Sequence, residues 1–284
     1  VVGGMESMSR MPYFIDSEDA RWGHKMGNFT LVDAMYRDGF SCPLSSMIMG
    51  ETAELLARQY GITREESDLY ALESQRRAAD AIAAGRFRAE IAPVTVTDSK
   101  GRSTVVDADE HPRETTLESL RKLKPVFGDG IITAATSSGI TDCGAALVLM
   151  SAARARAMGV TPLARIIGWA SAGVDPRLMG IGPVPAMRKL FARTGLSLSD
   201  FDLFELNEAF APQVLAVLRD EPIPLDKMNV NGGALALGHP IGCTGARILV
   251  TLLHEMLRRK ARRGLATLCV SGGMGLALAL ELTQ

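Results

Sequence analysis

The chain has 284 residues, enough for one large domain or two ordinary ones with a sizeable core. Hydrophobic residues make up 47% and charged residues 22% of it, as in folded globular proteins and unlike disordered ones. With 31 Lys and Arg against 32 Asp and Glu, the net charge of -1 does not indicate nucleic acid or a membrane surface as the main partner. No apolar run reaches the roughly 18 residues that a transmembrane helix needs.

The chain opens with two valines, two glycines and Met5, a pattern typical of a buried strand that ends in a glycine turn. A domain rarely begins inside its own core strand, so we expect a truncated chain. The alternative is a processed start from which an initiator methionine has been removed.

Residues 10–38 are polar and irregular. Thr63 and Glu66 then form a plausible capping box for a helix that Gly85 is placed to end. Its apolar stripe is predicted to be Leu69, Leu72, Ala79 and Ile82. A strand is predicted over 91–97, and 99–125 is charged and loop-like, so 10–140 is interpreted as an elaborate insertion.

The second half of the chain predicts strands that alternate with helices, which indicates an α/β layered fold. The predicted strands are 145–150, 163–169, 201–206, a short one that ends at Val230, 265–270 and 276–282. The predicted helices are 187–194, closed by Gly195, 209–218 and 248–257. A glycine turn at 271–275 predicts that the last two strands are antiparallel.

The histidines and cysteines are the candidates for chemistry, but their spacing is not that of a metal site. There is no C-x-x-C pair and no H-E-x-x-H motif, so we expect no metal and no disulfide framework, which fits a reducing compartment. The residues are Cys42, Cys143, Cys243, Cys269, His24, His111, His239 and His254.

Three segments place a reactive side chain at a strand end or in a glycine-rich turn: Asn207-Glu208-Ala209-Phe210, the glycine-rich stretch 232–247 around His239, and Cys269-Val270-Ser271-Gly272-Gly273. Each has a structural interpretation as well. Asn207 is placed to cap a helix, and a cysteine in an apolar strand is by default an inert buried thiol. His239 lies between Gly238 and Pro240, away from any apolar face.

Taken together and in this order, the three segments resemble the thiolase family, and so does the opening Gly-Gly-Met-Glu-Ser-Met-Ser. The resemblance covers essentially the whole chain. It implies that His239 activates a nucleophilic cysteine and donates into an oxyanion hole, in which Asn207 positions a water. It implies that Cys269 moves the proton at the nascent carbanion, and backbone N–H groups near Ser271 are candidates for a second oxyanion hole. Such donors typically lower a barrier by roughly 3–4 kcal/mol each.

The resemblance also implies a binding site for coenzyme A. Ser138 matches the serine that contacts pantetheine, and Arg113 the arginine that meets the nucleotide end, although a solvated loop charge is an equal alternative for Arg113. Met49, Ala209 and Phe210 match the lining of the acyl pocket. The chain departs from the family pattern in three ways: Ile48 replaces a frequent histidine, Ser271 replaces a frequent glycine, and Cys42, Cys143 and Cys243 all lack the context of the nucleophile.

The expected architecture is an α/β thiolase-like layered α-β-α-β-α fold with mixed sheets. Residues 1–9 and 141–160 are assigned to the first core domain, 10–140 to an inserted loop domain for CoA binding and oligomerisation, and 161–284 to the second core domain. The resemblance implies reversible Claisen condensation and thiolysis of acyl-CoA thioesters, with CoA as substrate or product and no other cofactor. It also implies a dimer or tetramer, with contacts at 17–28, and a cytoplasmic enzyme of fatty acid metabolism.

Two other functions fit parts of the pattern. A decarboxylating ketoacyl synthase would share the architecture, but it would need a second histidine or a Cys–His–Asn arrangement, and no C-terminal catalytic cysteine. A non-catalytic CoA-binding or scaffold protein would follow if the chain were complete as it stands.

Overall fold

The computed structural model describes residues 1–15 and 17–283. Its strands are β1 (Val2–Ser7), β2 (Tyr13–Ile15), β3 (Leu31–Asp33), β4 (Ser41–Cys42), β5 (Met47–Ile48), β6 (Val94–Thr97), β7 (Ser103–Val106), β8 (Asp142–Leu147), β9 (Ala164–Gly173), β10 (Leu203–Leu206), β11 (Arg263–Val270) and β12 (Met274–Leu282). Its α-helices are α1 (Ser17–Trp22), α2 (Met49–Tyr60), α3 (Arg64–Ala83), α4 (Leu117–Arg121), α5 (Ala152–Met158), α6 (Pro183–Thr194), α7 (Ala211–Asp220), α8 (Ala234–Leu237) and α9 (Thr244–Arg259). Short 3-10 helices cover Met8–Arg10, Arg86–Ala89, Pro176–Ile181 and Leu198–Asp200, and a π-helix covers Met35–Phe40.

A four-stranded mixed sheet in the order β10-β11-β12-β9 organises the second half of the chain. β10 and β11 are parallel, whereas β12 is antiparallel to both β11 and β9. Alternate residues of the strands face opposite layers: Phe204 packs in a cluster with α6 and α7, and its neighbour Leu203 packs with α9. The sheet therefore has helices on both faces, as the α/β prediction requires.

A second, two-stranded sheet joins distant parts of the chain. β1 pairs with β8 in antiparallel register, and α9 packs against both strands. The buried strand predicted over 145–150 is wrong in two respects. The observed strand runs from Asp142 to Leu147 with alternately exposed and partly buried residues, and Val148 is 72% exposed.

The described part of residues 10–140 contains helices and three two-stranded antiparallel sheets, which pair β2 with β3, β4 with β5, and β6 with β7. The capping box is confirmed, because Thr63 accepts from the Glu66 amide and Glu66 accepts from the Thr63 amide. The loop predicted over 99–125 contains β7 and α4, which is a correction.

The predicted apolar stripe of α3 is wrong. Leu69 and Ile82 are 47% and 42% exposed, and the buried face carries small residues such as Ala71, Ala78 and Ala81. The reason is close approach: a Cβ built on Gly232 would lie 2.8 Å from the Ala78 Cβ. Large side chains have no room between α3 and the glycine-rich stretch.

The remaining elements agree more closely in position than in burial. β9 is observed where a buried strand is predicted over 163–169, but Trp169 in it is 68% exposed, and β1 continues through the predicted glycine turn with exposed or partly buried residues. Gly195, at a φ of +71°, ends α6 as predicted, and β11 and β12 form the predicted antiparallel pair. The strand predicted to end at Val230 is reduced to a single bridge between Phe204 and Met228, and Asn229 next to it has a φ of +45°. Among the described residues, no helix combines the length and the apolarity needed to span a membrane.

Gly275 of β12 lies against the start of α6, so that an added Cβ would stand 1.9 Å from the carbonyl oxygen of Gly182. We expect Gly275→Ala to lower the free energy of unfolding by about 2 kcal/mol or more, because backbone on both sides must shift. Urea unfolding measures it. Gly173→Ala, in the neighbouring strand, is the matched control, since its Cβ would meet only an atom 3.9 Å away. Equal stabilities of the two variants would contradict the close approach.

Glu205 of β10 is a buried carboxyl group, and burial raises its pKa to about 8 despite the opposing charge of Arg247. Between its unfolded pKa near 4.5 and 8, the folded state holds the proton more tightly than the unfolded state does. The contribution of Glu205 to stability is therefore present below about pH 4.5 and is lost as pH rises to about 8.

Glu205→Gln should remove this loss. We expect the unfolding free energy of the variant, measured relative to that of the parent, to rise by roughly 2–4 kcal/mol from pH 5 to pH 8. Urea unfolding at the two pH values measures the change. Glu281→Gln, on the same sheet, is the control, because hydrogen bonds from Arg165 and Arg263 lower the pKa of Glu281. A parent-like pH dependence in Glu205→Gln would contradict the assignment.

Candidate active site

The parallel pairing of β10 with β11 brings Asn207 and Cys269 together. Leu206 stands beside Thr267 in the register, and the Asn207 amide donates to the Thr267 carbonyl over 3.0 Å. Carboxyl ends of parallel strands meet at one edge of a sheet. The residue that follows β10 thus lies next to the last residues of β11, where Cys269 is found.

A glycine-rich turn brings His239 to the same edge. Gly238 has a φ of +92°, and a Cβ on it would stand 2.1 Å from the Thr141 hydroxyl. Both its backbone conformation and its contact with Thr141 require glycine. The His239 amide donates to the Gly139 carbonyl over 3.5 Å, which connects the turn to the segment that precedes β8.

Two hydrogen bonds fix the orientation and the tautomer of the His239 ring. The Thr244 hydroxyl lies 2.9 Å from the Pro240 carbonyl and 2.6 Å from His239 Nδ1. A carbonyl only accepts, so the single hydroxyl proton goes to Pro240, and Nδ1 must carry a proton that it donates to Thr244. Nε2 is therefore the unprotonated nitrogen of the neutral ring.

Asn207 faces that nitrogen. Its Nδ2 donates to His239 Nε2 over 3.3 Å, while its buried Oδ1 has no partner among the described residues. The interpretation of Asn207 as a helix cap is wrong, since the N-cap of α7 is Phe210. The side-chain amide of Asn207 is instead hydrogen-bonded to the His239 ring.

His239 and Cys269 are both uncharged at neutral pH. Burial, with the positive charge of Arg247, lowers the pKa of His239 to about 4. Burial raises the pKa of the Cys269 thiol to about 12, because it lies in an apolar cluster with Met179 and Ala209. The site thus pairs an imidazole whose Nε2 is unprotonated with a thiol that retains its proton.

Both side chains line one cavity of about 660 Å³. Most of the other residues singled out from the sequence line it too, namely Ser271, Ser138, Arg113, Met49, Ala209, Phe210 and Ile48. Asn207 is not among the lining residues and reaches the site through His239. The residues predicted from the sequence to form the site therefore line one cavity, with the exception of Asn207.

The walls of the cavity differ in character. Met49 and Phe210 pack against the cluster around Cys269, which makes that end apolar. The Ser138 amide donates to the Ala209 carbonyl over 3.1 Å and so holds this segment against the turn after β10. Arg113 is exposed, and its amide donates to Gln75 of α3 over 3.0 Å. The cavity therefore runs from an apolar interior to a charged, exposed side.

Two residues that carry the geometry were given no role from the sequence. One is Thr244. The other is Glu208, which is 1% exposed and accepts from Tyr70, Ser74, Asn229 and the Leu235 amide over 2.7–3.1 Å. Its carboxylate binds α3 to the turn after β10 and to α8. The role of Glu208 has no local signal, because most of its partners are distant in sequence, whereas Thr244 lies only five residues after His239.

The described residues contain no group of three or more His, Cys, Asp or Glu side chains that could hold a metal ion.

Known proteins with this pattern are thiolases. The family model described as the N-terminal domain of thiolase matches residues 1–153, and that of the C-terminal domain matches 160–282. Acetyl-CoA acetyltransferases from Pseudomonas aeruginosa and Escherichia coli K12 are 54% and 52% identical to the chain. In both cases the match covers 99% of this chain and 71% of the relative.

Solved structures of thiolases have the same fold as this chain. The acetyl-CoA acetyltransferase of Bacillus anthracis superimposes with a TM-score of 0.95 at 48% identity, covering 99% of this chain and 71% of that one. Human mitochondrial 3-ketoacyl-CoA thiolase in complex with CoA gives 0.93 at 44% identity, covering 99% and 70%. The predicted α/β thiolase-like fold is confirmed, and the chain belongs to the thiolase family.

Proposed function

We propose that the protein catalyses acyl transfer between CoA thioesters: thiolysis of a 3-ketoacyl-CoA by CoA, and the reverse Claisen condensation. The names of its relatives, acetyl-CoA acetyltransferase and 3-ketoacyl-CoA thiolase, support this reaction class. The observation that carries the proposal is the placement of a neutral imidazole and a protonated thiol on one cavity.

His239 is proposed to activate the nucleophile. The nucleophilic cysteine that the family resemblance implies is not proposed for Cys42, Cys143 or Cys243, which lack its sequence context. A cysteine with an ordinary pKa near 8.5 is only a few per cent ionised at neutral pH, so it needs a base. The unprotonated Nε2, which accepts a hydrogen bond from Asn207 in this structure, can take the thiol proton in exchange for that bond, and the resulting imidazolium can then donate from Nε2 to the oxygen of the attacked carbonyl.

Asn207 is proposed to complete that oxyanion hole. Its buried Oδ1 lacks a partner among the described residues, and a buried acceptor gains by binding a water. That water has a second proton with which to contact the substrate oxygen. Two donors, Nε2 and the water, would then face the developing negative charge.

Cys269 is proposed as the acid and base of the carbon–carbon step. In thiolysis its thiol gives a proton to the carbanion of the departing acetyl-CoA, and the thiolate then takes the proton of the incoming CoA. In condensation the same steps run backwards. Backbone N–H groups near Ser271, which lines the cavity, are proposed to bind the enolate oxygen.

Arg113 and Ser138 are proposed to hold CoA, with Arg113 toward the nucleotide end on the exposed side of the cavity. The apolar interior formed by Met49, Ala209 and Phe210 is proposed to take the acyl chain. Ile48 lines the same space and adds an apolar wall where a histidine is frequent in the family.

We also propose that the enzyme is a homo-oligomer, acts in the cytoplasm and serves fatty acid metabolism. Exposed apolar side chains in the insertion support an assembly through that region: Trp22 is 78% and Met26 89% exposed. A tetramer with contacts at 17–28 would bury them. The insertion, 10–140, is proposed to serve both CoA binding and assembly.

His239→Ala should lower kcat for thiolysis of acetoacetyl-CoA by at least about 100-fold, because the nucleophile loses its base and the first oxyanion hole a donor. The assay follows the loss of acetoacetyl-CoA in the enzyme with its nucleophilic cysteine present. His254→Ala, which removes a histidine from α9 outside the cavity, is the matched control. Near-parent turnover in His239→Ala would defeat the assignment.

Cys269→Ala should lower thiolysis of acetoacetyl-CoA by a similar factor, because the carbanion of the departing acetyl-CoA loses its proton donor. Exchange of the acetyl-CoA methyl protons with D2O needs Cys269 and should be lost. Cys143→Ala is the matched control with parent-like values in both assays. Proton exchange at the parent rate in Cys269→Ala would show that another group carries the proton.

A further inference from the structure

Two cysteines that have no role in the proposed reaction, Cys143 and Cys243, are in contact. The thiols of Cys143, on β8, and Cys243, the residue before α9, lie 3.5 Å apart although 100 residues separate them. Cys243 is fully buried and Cys143 partly buried. Both are free thiols in this structure.

The backbone around the pair is tightly packed. A Cβ on Gly4 of β1 would lie 2.9 Å from the Cys243 Cα, so β1 touches the turn before α9 directly. Glu6, which stands beside Cys143 in the register, accepts from the Gly242 amide over 3.0 Å. Packing from both sides therefore holds the two sulfurs against each other.

The two thiols are unequal in acidity. A hydrogen bond from the Cys243 thiol, assisted by the charge of Arg247, lowers the pKa of Cys143 to about 7 against the effect of burial. The same bond and burial raise the pKa of Cys243. Cys143 is thus the member of the pair whose pKa is lowered, and the thiolate is the form that reacts with oxidants.

We propose that Cys143 and Cys243 form a disulfide site that responds to peroxide. The Cys143 thiolate attacks hydrogen peroxide and, after protonation of the leaving hydroxide, gives Cys143 sulfenic acid and water. The Cys243 sulfur then attacks the sulfenic sulfur. The S–O bond breaks, the thiol proton leaves with the hydroxide as a second water, and the S–S bond forms. Two thiols are oxidised and one peroxide is reduced to two waters.

Closing the bond has a consequence for His239. The sulfurs must approach from 3.5 Å to bonding distance, a movement of roughly 1.5 Å. Cys243 immediately precedes Thr244, the residue that fixes the His239 tautomer through Nδ1. Movement of the chain at Cys243 displaces that hydroxyl, so the oxidised enzyme should turn over more slowly. This consequence rests on the proposed function, whereas the disulfide itself does not.

The other two cysteines differ from this pair. Cys269 keeps its proton, with a pKa of about 12, and is therefore slow to oxidise. Hydrogen bonds from Ser45 and from the backbone of Leu44 and Gly272 lower the pKa of Cys42 to about 7 in spite of burial. Among the described residues, however, no other cysteine sulfur is hydrogen-bonded to Cys42. Cys42 is therefore a matched control: a thiol with a lowered pKa but without a second cysteine hydrogen-bonded to it among the described residues.

Peptide mapping tests the disulfide directly. Trypsin places the four cysteines on four different peptides, 38–58, 123–154, 228–247 and 264–284. The protein is treated with hydrogen peroxide, alkylated without reduction, digested and analysed by mass spectrometry. We expect 123–154 linked to 228–247, at a mass two hydrogens below the sum of the two peptides, and its loss after reduction with dithiothreitol. Alkylated free thiols on both peptides, or a main link to another cysteine, would overturn the proposal.

Variants separate the disulfide from its consequence. Cys143→Ser should abolish the linked peptide and keep the parent's basal thiolysis, whereas Cys42→Ser should still form the link. The parent should lose at least about half of its turnover when the link forms and should recover it with dithiothreitol. Cys143→Ser should lose less turnover under the same peroxide treatment. A link that forms with unchanged turnover would overturn the effect on His239. If no variant and no parent sample showed thiolysis, the proposed function would fail while the linked peptide still decided the disulfide.

Discussion

The site depends on the single proton of the Thr244 hydroxyl. Because that proton is committed to the Pro240 carbonyl, the hydroxyl can only accept from His239, and the ring is locked with its proton on Nδ1. Nε2 therefore carries the lone pair, which accepts from Asn207 in this structure and can act as a base. A ring held by Asn207 alone could turn or change tautomer, and the same imidazole would then offer a proton where a lone pair is needed.

Burial supplies the second constraint. Removing both groups from water disfavours their charged forms, so His239 stays neutral and Cys269 stays protonated. Opposite shifts in pKa from one physical cause give the two groups complementary tasks: one accepts the first proton and the other donates the second. An exposed pair with ordinary pKa values would be partly in the wrong state near neutral pH.

Local signals in the sequence were sufficient where an element is defined by its own residues. The capping box of Thr63 and Glu66 and the terminating Gly195 were predicted correctly, because caps and left-handed glycines act within a few residues. The strand ends that carry Asn207 and Cys269 were also found, as was the turn that carries His239. Asn207 and Cys269 are brought together by the parallel register of β10 and β11, which no local pattern contains.

Contacts between residues that are distant in the sequence determine the features that local patterns do not predict. The buried face of α3 is formed by alanines and not by Leu69 and Ile82, because the glycine-rich stretch approaches too closely for large side chains. No local pattern assigns a role to Glu208, yet its four donors come from three separate segments. The contact between Cys143 and Cys243 spans 100 residues in the same way.

The state of the His239 ring is the most direct test of this account. In protein labelled with 15N histidine, the two ring nitrogens can be assigned by comparison with His239→Gln, and their shifts report both tautomer and charge. We expect a neutral ring protonated on Nδ1 at pH 7 that gains its second proton only near pH 4. A ring protonated on Nε2, or one already charged at pH 7, would contradict it.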